Sequence, residues 1–193
     1  MNARTKLDQH LRPGQVYRRK DLARLTKAVD RHLRELVDEG RLTKVSRGVY
    51  MVPRKTRFGK APASDEKLVE TFLGDDRFLV VSPNAFNGLG VGTTQLYNEP
   101  VVYNHKRHGR FKLGSRTFDF RMRPSVPRKL TTEVLLVDLL HNADRLAENQ
   151  AEIVPRALAR AEKMDVARLS RAVRDYGSAR AQRLLEPLIR TNG

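Results

Sequence analysis

Apolar positions recur at helical spacing over one stretch of this chain and then alternate over the next, and that succession predicts the N-terminal elements. From Lys27 to Glu39, Val29, Leu33, Leu36 and Val37 form a stripe that must face a core, while Lys27, Asp30, Arg31 and Arg34 share the opposite face. Thr26 is placed to cap this helix, and Gly40 to close it in the left-handed conformation. Leu42 to Val45 and Val49 to Val52 read as two short strands. Ser46, Arg47 and Gly48 make the turn between them, with the arginine at its tip. Upstream, a helix from about Ala3 to Leu11 ends at Pro13-Gly14, Val16 and Tyr17 add a short strand, and a helix capped by Asp21 runs to Leu25. A helix-turn-helix pair followed by a basic hairpin is the pattern of a winged helix.

Residues 53–64 mix prolines, a glycine and four cations, which predicts a linker or an extension of the wing and a domain boundary near residue 60. Beyond it the pattern predicts a helix over Asp65 to Leu73, a strand over Phe78 to Val81, a short helix starting at Ser82-Pro83-Asn84 and a strand over Val101 to Tyr103. A hairpin then turns at Gly114-Ser115. Phe111, Leu113, Phe118, Phe120 and Met122 are expected on its apolar face, and Arg110, Lys112, Arg116, Arg121 and Arg123 on the other. Helices beginning at Thr131, near Pro155 to Lys163, over Val166 to Tyr176 and over Ala179 to Ile189 fill the last third. The expected class is α+β: a winged helix-turn-helix domain in 1–60, and in 61–193 a domain with a small antiparallel sheet and a helical bundle.

Charge sharpens this picture. The formal net charge is +16, and it is uneven: residues 1–60 hold 17 Lys and Arg against 6 Asp and Glu, and residues 101–130 hold nine cations against Asp119 alone. A polyanionic partner accounts for two basic zones better than solubility does, since scattered charge would serve solubility equally. There are no cysteines, which excludes disulfides and thiolate chemistry, and no apolar run is long enough to span a bilayer. With no apolar secretion core at its start, the chain is expected to be cytoplasmic and without a membrane partner.

Catalytic candidates fail on their neighbours. His105 and His108 sit among Lys106, Arg107 and Arg110, which would repel a cation. His141 and Asp144 in HNAD lack the remaining ligands of a metal site. Gly88, Gly90 and Gly92 are followed by Thr93, so neither a dinucleotide fingerprint nor a Walker loop is present. No catalytic residue, cofactor or metal is expected.

The N-terminal pattern ending in SRGVYMVP, then SPNAFNGLGV, the stretch VVYNHKRHGRFKLGSRTFDFRMRP and the closing helices resemble the AbiEi family of antitoxins from type IV toxin-antitoxin systems. The resemblance implies a DNA-binding repressor of its own operon, encoded beside a toxin with a nucleotidyltransferase fold. It also implies antitoxic activity in the C-terminal part, without a stable complex with the toxin.

On the DNA reading, the Lys27 helix enters the major groove of an operator by its N-terminal end and the hairpin lies along the backbone or the adjacent minor groove. Arg31 and Arg34 can each offer a bidentate fork to guanine, Lys27 suits phosphate, and Asp30 can accept from cytosine or brace Arg31 or Arg34. Lys44, Arg47, Arg54 and Lys55 would neutralise phosphates. Lys106, Arg107, Arg110, Lys112, Arg116, Arg121 and Arg123 form a second basic surface, which suits flanking DNA or an RNA as well as it suits a solvated sheet face. The alternative function is RNA binding on that surface, with bases stacked on Tyr103 or Phe111.

Overall fold

The stripe of Val29, Leu33 and Leu36 is buried, and the helix that carries it sets the architecture of the N-terminal part. A computed structural model of the chain describes residues 3–57, 59–94 and 96–192. Its class is α+β, as the patterns predict, and contacts divide it into two units: Met1–Asp76 with Lys106–Asp119, and Arg77–His105 with Phe120–Gly193. The division does not follow the expected boundary at residue 60.

In the first unit the order is α1 (Ala3–His10), β1 (Val16–Arg18), α2 (Arg19–Leu22), α3 (Val29–Asp38), β2 (Thr43–Ser46) and β3 (Val49–Met51). Strand β3 is central to a three-stranded antiparallel sheet of order β1-β3-β2, with Tyr17 opposite Tyr50 and Lys44 opposite Tyr50 on its other side. Leu7, Leu22, Val29, Leu33, Leu36 and Leu42 form one core, so helices and hairpin share a single apolar interior. Gly40 ends α3 as expected: at φ +69° its N–H donates to Val37 O and the Arg41 N–H donates to Leu36 O, which satisfies two carbonyls of the last turn.

Two expectations at the other end of α3 are corrected. The helix starts at Val29, so Lys27 lies in the preceding turn. Thr26 is buried and does not cap the helix; its hydroxyl accepts from the Ala28 N–H and bonds His32 Nδ1 at 3.2 Å, because the turn from α2 tucks it under the chain. Helix α2 also begins earlier than expected, with Asp21 inside it and paired to Arg18 at 2.7 Å.

Residues 53–64 are not an unstructured linker. They form a two-stranded antiparallel ribbon, β4 (Arg54–Thr56) and β5 (Gly59–Ala61), with Lys55 opposite Lys60. The unit continues past it because Ala63 N–H reaches Met51 Sδ and α4 (Asp65–Leu73) packs on β1. Helix α4 is capped as its sequence dictates, by Ser64 Oγ accepting from Lys67 N–H and by Gly74 at φ +60°.

The other strands are β6 (Phe78–Val81), β7 (Val101–Asn104), β8 (Gly109–Leu113) and β9 (Arg116–Met122); β6 pairs antiparallel with β7, and β8 pairs with β9. In the first unit the β8–β9 turn joins β2, with the Gly114 N–H donating to Val45 O at 2.9 Å. A 3-10 helix over Pro83–Leu89 follows β6.

The second unit is built around α5 (Thr132–Asn142), in which every residue from Val134 to Leu140 is buried. Thr131 caps it as its position suggests, accepting from Val134 N–H. Around it pack α6 (Gln150–Ala161), α7 (Val166–Tyr176) and α8 (Ala179–Asn192). Helix α6 starts earlier than the expected Pro155, at Gln150, because Asn149 caps it there, and Pro155 lies inside the helix. No helix among the described residues is long and apolar enough to cross a membrane.

Candidate nucleic-acid interface

Burial of Val29, Leu33 and Leu36 turns the opposite side of α3 to solvent, and Asp30, Arg31 and Arg34 are exposed there, with Lys27 exposed in the turn before it. Lys44 and Arg47 are exposed on the β2–β3 hairpin, and Arg54 and Lys55 on the ribbon. The hairpin turn forms as predicted, with Gly48 at φ +71° after Arg47. Among the described residues no carboxylate pairs with Lys27, Arg34, Lys44, Arg47, Arg54 or Lys55, whereas Arg31 sits 3.8 Å from Glu35 one turn on. Helix, hairpin and ribbon therefore carry a cluster of cations whose charge is not neutralised internally. Such a cluster gains counterion-release free energy on a phosphate chain.

Asp30 departs from its expected roles. It braces neither Arg31 nor Arg34 but takes the guanidinium of Arg19, Nε to Oδ1 at 2.6 Å and Nη2 to Oδ2 at 2.5 Å. That pairing holds the Asp30 carboxyl below the usual carboxylate range and the Arg19 guanidinium above its own. Arg19 is the residue that sequence reading missed. It lies eleven positions away, outside any helical or strand spacing, although its place at the start of α2 is legible. Lys20 and Arg24 are further exposed cations of the same segment.

Most residues of the second basic surface have partners within their own unit. Its residues divide between the two units, Lys106 to Arg116 in the first and Arg121 and Arg123 in the second. In the first unit Lys106 pairs with Asp75 at 3.1 Å, Arg116 pairs with Asp65 at 2.7 Å, and the Arg107 guanidinium lies 4.6 Å from the centre of the Phe72 ring. Arg110 and Lys112 are exposed on β8. Arg116 was expected opposite the apolar face, yet it has the same strand parity as Phe118 and Phe120 and lies over the Phe118 ring. Met122, expected on the apolar face, is exposed at the end of β9.

Arg121 and Arg123 serve the interior of the second unit. Arg121 donates to Asn142 Oδ1, and Arg123 pairs with Asp138 at 3.0 Å while stacking 3.7 Å above the centre of the Tyr103 ring. Tyr103 donates to the same Asp138 oxygen at 2.6 Å. Burial, with the Asp138 carboxylate beside it, pushes the Tyr103 hydroxyl well above its ordinary range, so it remains a donor. Only 2% of Tyr103 is exposed and Phe111 is half-buried against Phe72, so the aromatic platform expected for RNA is not on offer.

The enzyme candidates remain scattered. His105 and His108 are exposed loop residues, His141 is half-buried on α5, and no group of three metal-ligating side chains occurs among the described residues.

No protein-family model matches the chain, and no curated protein matches it. Among solved structures, the crystal structure of the RV2827C protein from Mycobacterium tuberculosis is similar, with a TM-score of 0.57 and 21% identity over 98% of this chain and 75% of that one. The two chains share a fold.

Proposed function

We propose that the protein is a DNA-binding antitoxin of the type IV class that represses its own operon, with α1 to β3 acting as a winged helix. The observation that carries this reading is the solvent-facing side of α3, where Arg34 stands without a carboxylate ion-pair partner, together with Lys27 in the turn before it and the exposed Lys44 and Arg47 of a basic hairpin in the same unit. Helix α3 enters the major groove by its N-terminal end and presents Arg31 and Arg34 to guanine, while Lys27, Lys44 and Arg47 bind phosphates. The ribbon residues Arg54 and Lys55 extend the backbone contacts. The resemblance to AbiEi antitoxins supports the regulatory role and assigns the counteraction of a nucleotidyltransferase-fold toxin to the C-terminal part, without a stable complex. The protein works in the cytoplasm on this reading.

Fluorescence anisotropy with the duplex upstream of the coding sequence, against a shuffled duplex and over a salt series, tests it. Arg34→Ala should erase about 1–3 kcal/mol of preference for the native duplex. Arg47→Ala should weaken both duplexes alike and lower the slope of log affinity against log salt by about 0.9. Equal losses on both duplexes from both variants would refute the groove assignment. Co-expression with the product of the adjacent gene tests the antitoxin role: toxicity that the intact chain fails to relieve would exclude it.

A further inference from the structure

Arg19 opens α2 and joins three parts of the first unit. Its backbone N–H donates to Gly48 O at 2.8 Å, at the turn of the β2–β3 hairpin, and its side chain grips Asp30 in the first turn of α3. The grip uses Nε and one terminal nitrogen, in the parallel two-bond geometry that fits a carboxylate edge. A guanidinium has five N–H donors, so its remaining edge keeps donors for a second anion. Arg19 is 45% exposed and Asp30 is 66% exposed, so that edge is reachable.

Stability alone is a weak reason for the arrangement, since an exposed ion pair contributes little to folding. Its place is more telling. The pair sits where the hairpin turn and the start of α3 meet, beside Arg47 and within the field that Arg34 also exerts on Asp30. An anion on an otherwise cationic surface would repel a phosphate chain unless its charge were taken up by a neighbour. Arg19 takes it up, and in doing so becomes a guanidinium of fixed orientation.

We propose that Arg19 binds a backbone phosphate of duplex DNA and that Asp30 is its positioning residue, holding the fork in place without touching a base. The proposal rests on the duplex-binding reading above and adds to it a contact and a role. It also fixes a sign. Removing a negative charge from a DNA-binding surface should by itself strengthen binding, whereas removing the brace of a phosphate contact should weaken it.

Asp30→Asn, Arg19→Ala and the double variant, made in the full chain, separate these outcomes in the same anisotropy salt series. The Arg19 backbone bond to Gly48 survives each substitution, and circular dichroism with thermal melting checks that the fold does. The expected result is weaker binding for Asp30→Asn on native and shuffled duplexes alike. Arg19→Ala should lower the salt slope by about 0.9, the value for one phosphate, and the double variant should lose no more than Arg19→Ala alone. Tighter binding by Asp30→Asn, an unchanged slope for Arg19→Ala, or a loss in Asp30→Asn confined to one sequence would overturn the proposal while leaving the duplex reading intact. Wild-type protein that binds no duplex would sink both.

Discussion

Asp138→Ala should be among the most damaging substitutions in the second unit. The Asp138 side chain is 5% exposed and accepts at Oδ1 from the Tyr103 hydroxyl at 2.6 Å, from Arg123 at 3.0 Å and from Asn142 Nδ2 at 3.1 Å. Truncation leaves Asn142 its bond to the Asp138 backbone carbonyl at 2.9 Å. The Tyr103 hydroxyl loses its carboxylate acceptor, and the Arg123 guanidinium, itself only 14% exposed, loses its counter-charge. Stranding a buried charge costs about 3–5 kcal/mol, which is a large fraction of a domain's stability. Asp138→Asn strands the same guanidinium but keeps the shape and an acceptor for the Tyr103 hydroxyl, so it should cost less than Asp138→Ala.

The decisive comparison is a double-mutant cycle with Arg123→Met, read by urea unfolding with circular dichroism and tyrosine fluorescence. If the cation and carboxylate neutralise one another, removing both relieves the stranded charge, and the combined loss falls short of the sum by about 1–3 kcal/mol. Additive losses, or a cost below about 1 kcal/mol for Asp138→Ala, would refute the reasoning. The same cycle bears on function. An arginine that holds the interior should change stability when removed and leave nucleic-acid affinity alone, the reverse of what an RNA-binding surface would give.

Two further outcomes are expected. Gly74→Ala forces a Cβ into a cap at φ +60°, at a point 1.9 Å from the Arg18 guanidinium, so urea unfolding should show a loss of at least about 1 kcal/mol, the strain of the left-handed conformation alone; an unchanged midpoint would contradict the cap geometry. Burial, aided by Arg123, Arg121 and Arg145 against the opposing Asp138, lowers the pKa of His141 below its ordinary 6.5. Below that pH the unfolded chain binds more protons than the native one, so the stabilisation present above it declines as pH falls towards the lower native value. The urea midpoint should drop as pH falls below the ordinary histidine value of 6.5, and His141→Gln should remove part of that drop.

What was legible in the sequence is what local spacing controls. The apolar stripe of α3, its glycine stop, the turn at Arg47-Gly48 and the span of α4 follow from period, cap and stop residues within a few positions of one another. Strand parity placed Leu113, Phe118 and Phe120 inside, and the same parity would have put Arg116 with them. The ribbon β4–β5 was hidden because its six residues are nearly all exposed and show no alternation. Partner choice was hidden for a different reason. Asp30 has Lys27 and Arg34 at helical spacing and pairs instead with Arg19, eleven positions away, while Asp138 sits in an apolar run whose pattern gives no sign that Tyr103 and Arg123 will meet it. Ion pairs of this kind are fixed by tertiary packing.

That distinction changes what the net charge means. Counted along the chain, residues 101–130 look as ready for a polyanion as the N-terminal part. Counted by partner, Lys106 and Arg116 answer Asp75 and Asp65, Arg123 answers Asp138, and Arg107 and Arg121 lie against Phe72 and Asn142. A phosphate chain could recruit the ion-paired cations only by displacing a carboxylate, and the exchange would return little of the counterion free energy that an unpaired cation yields. Lys27, Arg34, Lys44 and Arg47 carry no such obligation, and they lie on one helix, its leading turn and one hairpin of a single unit. The physical case for a nucleic-acid partner therefore rests on the N-terminal cations. Much of the second cluster is engaged in holding the protein together.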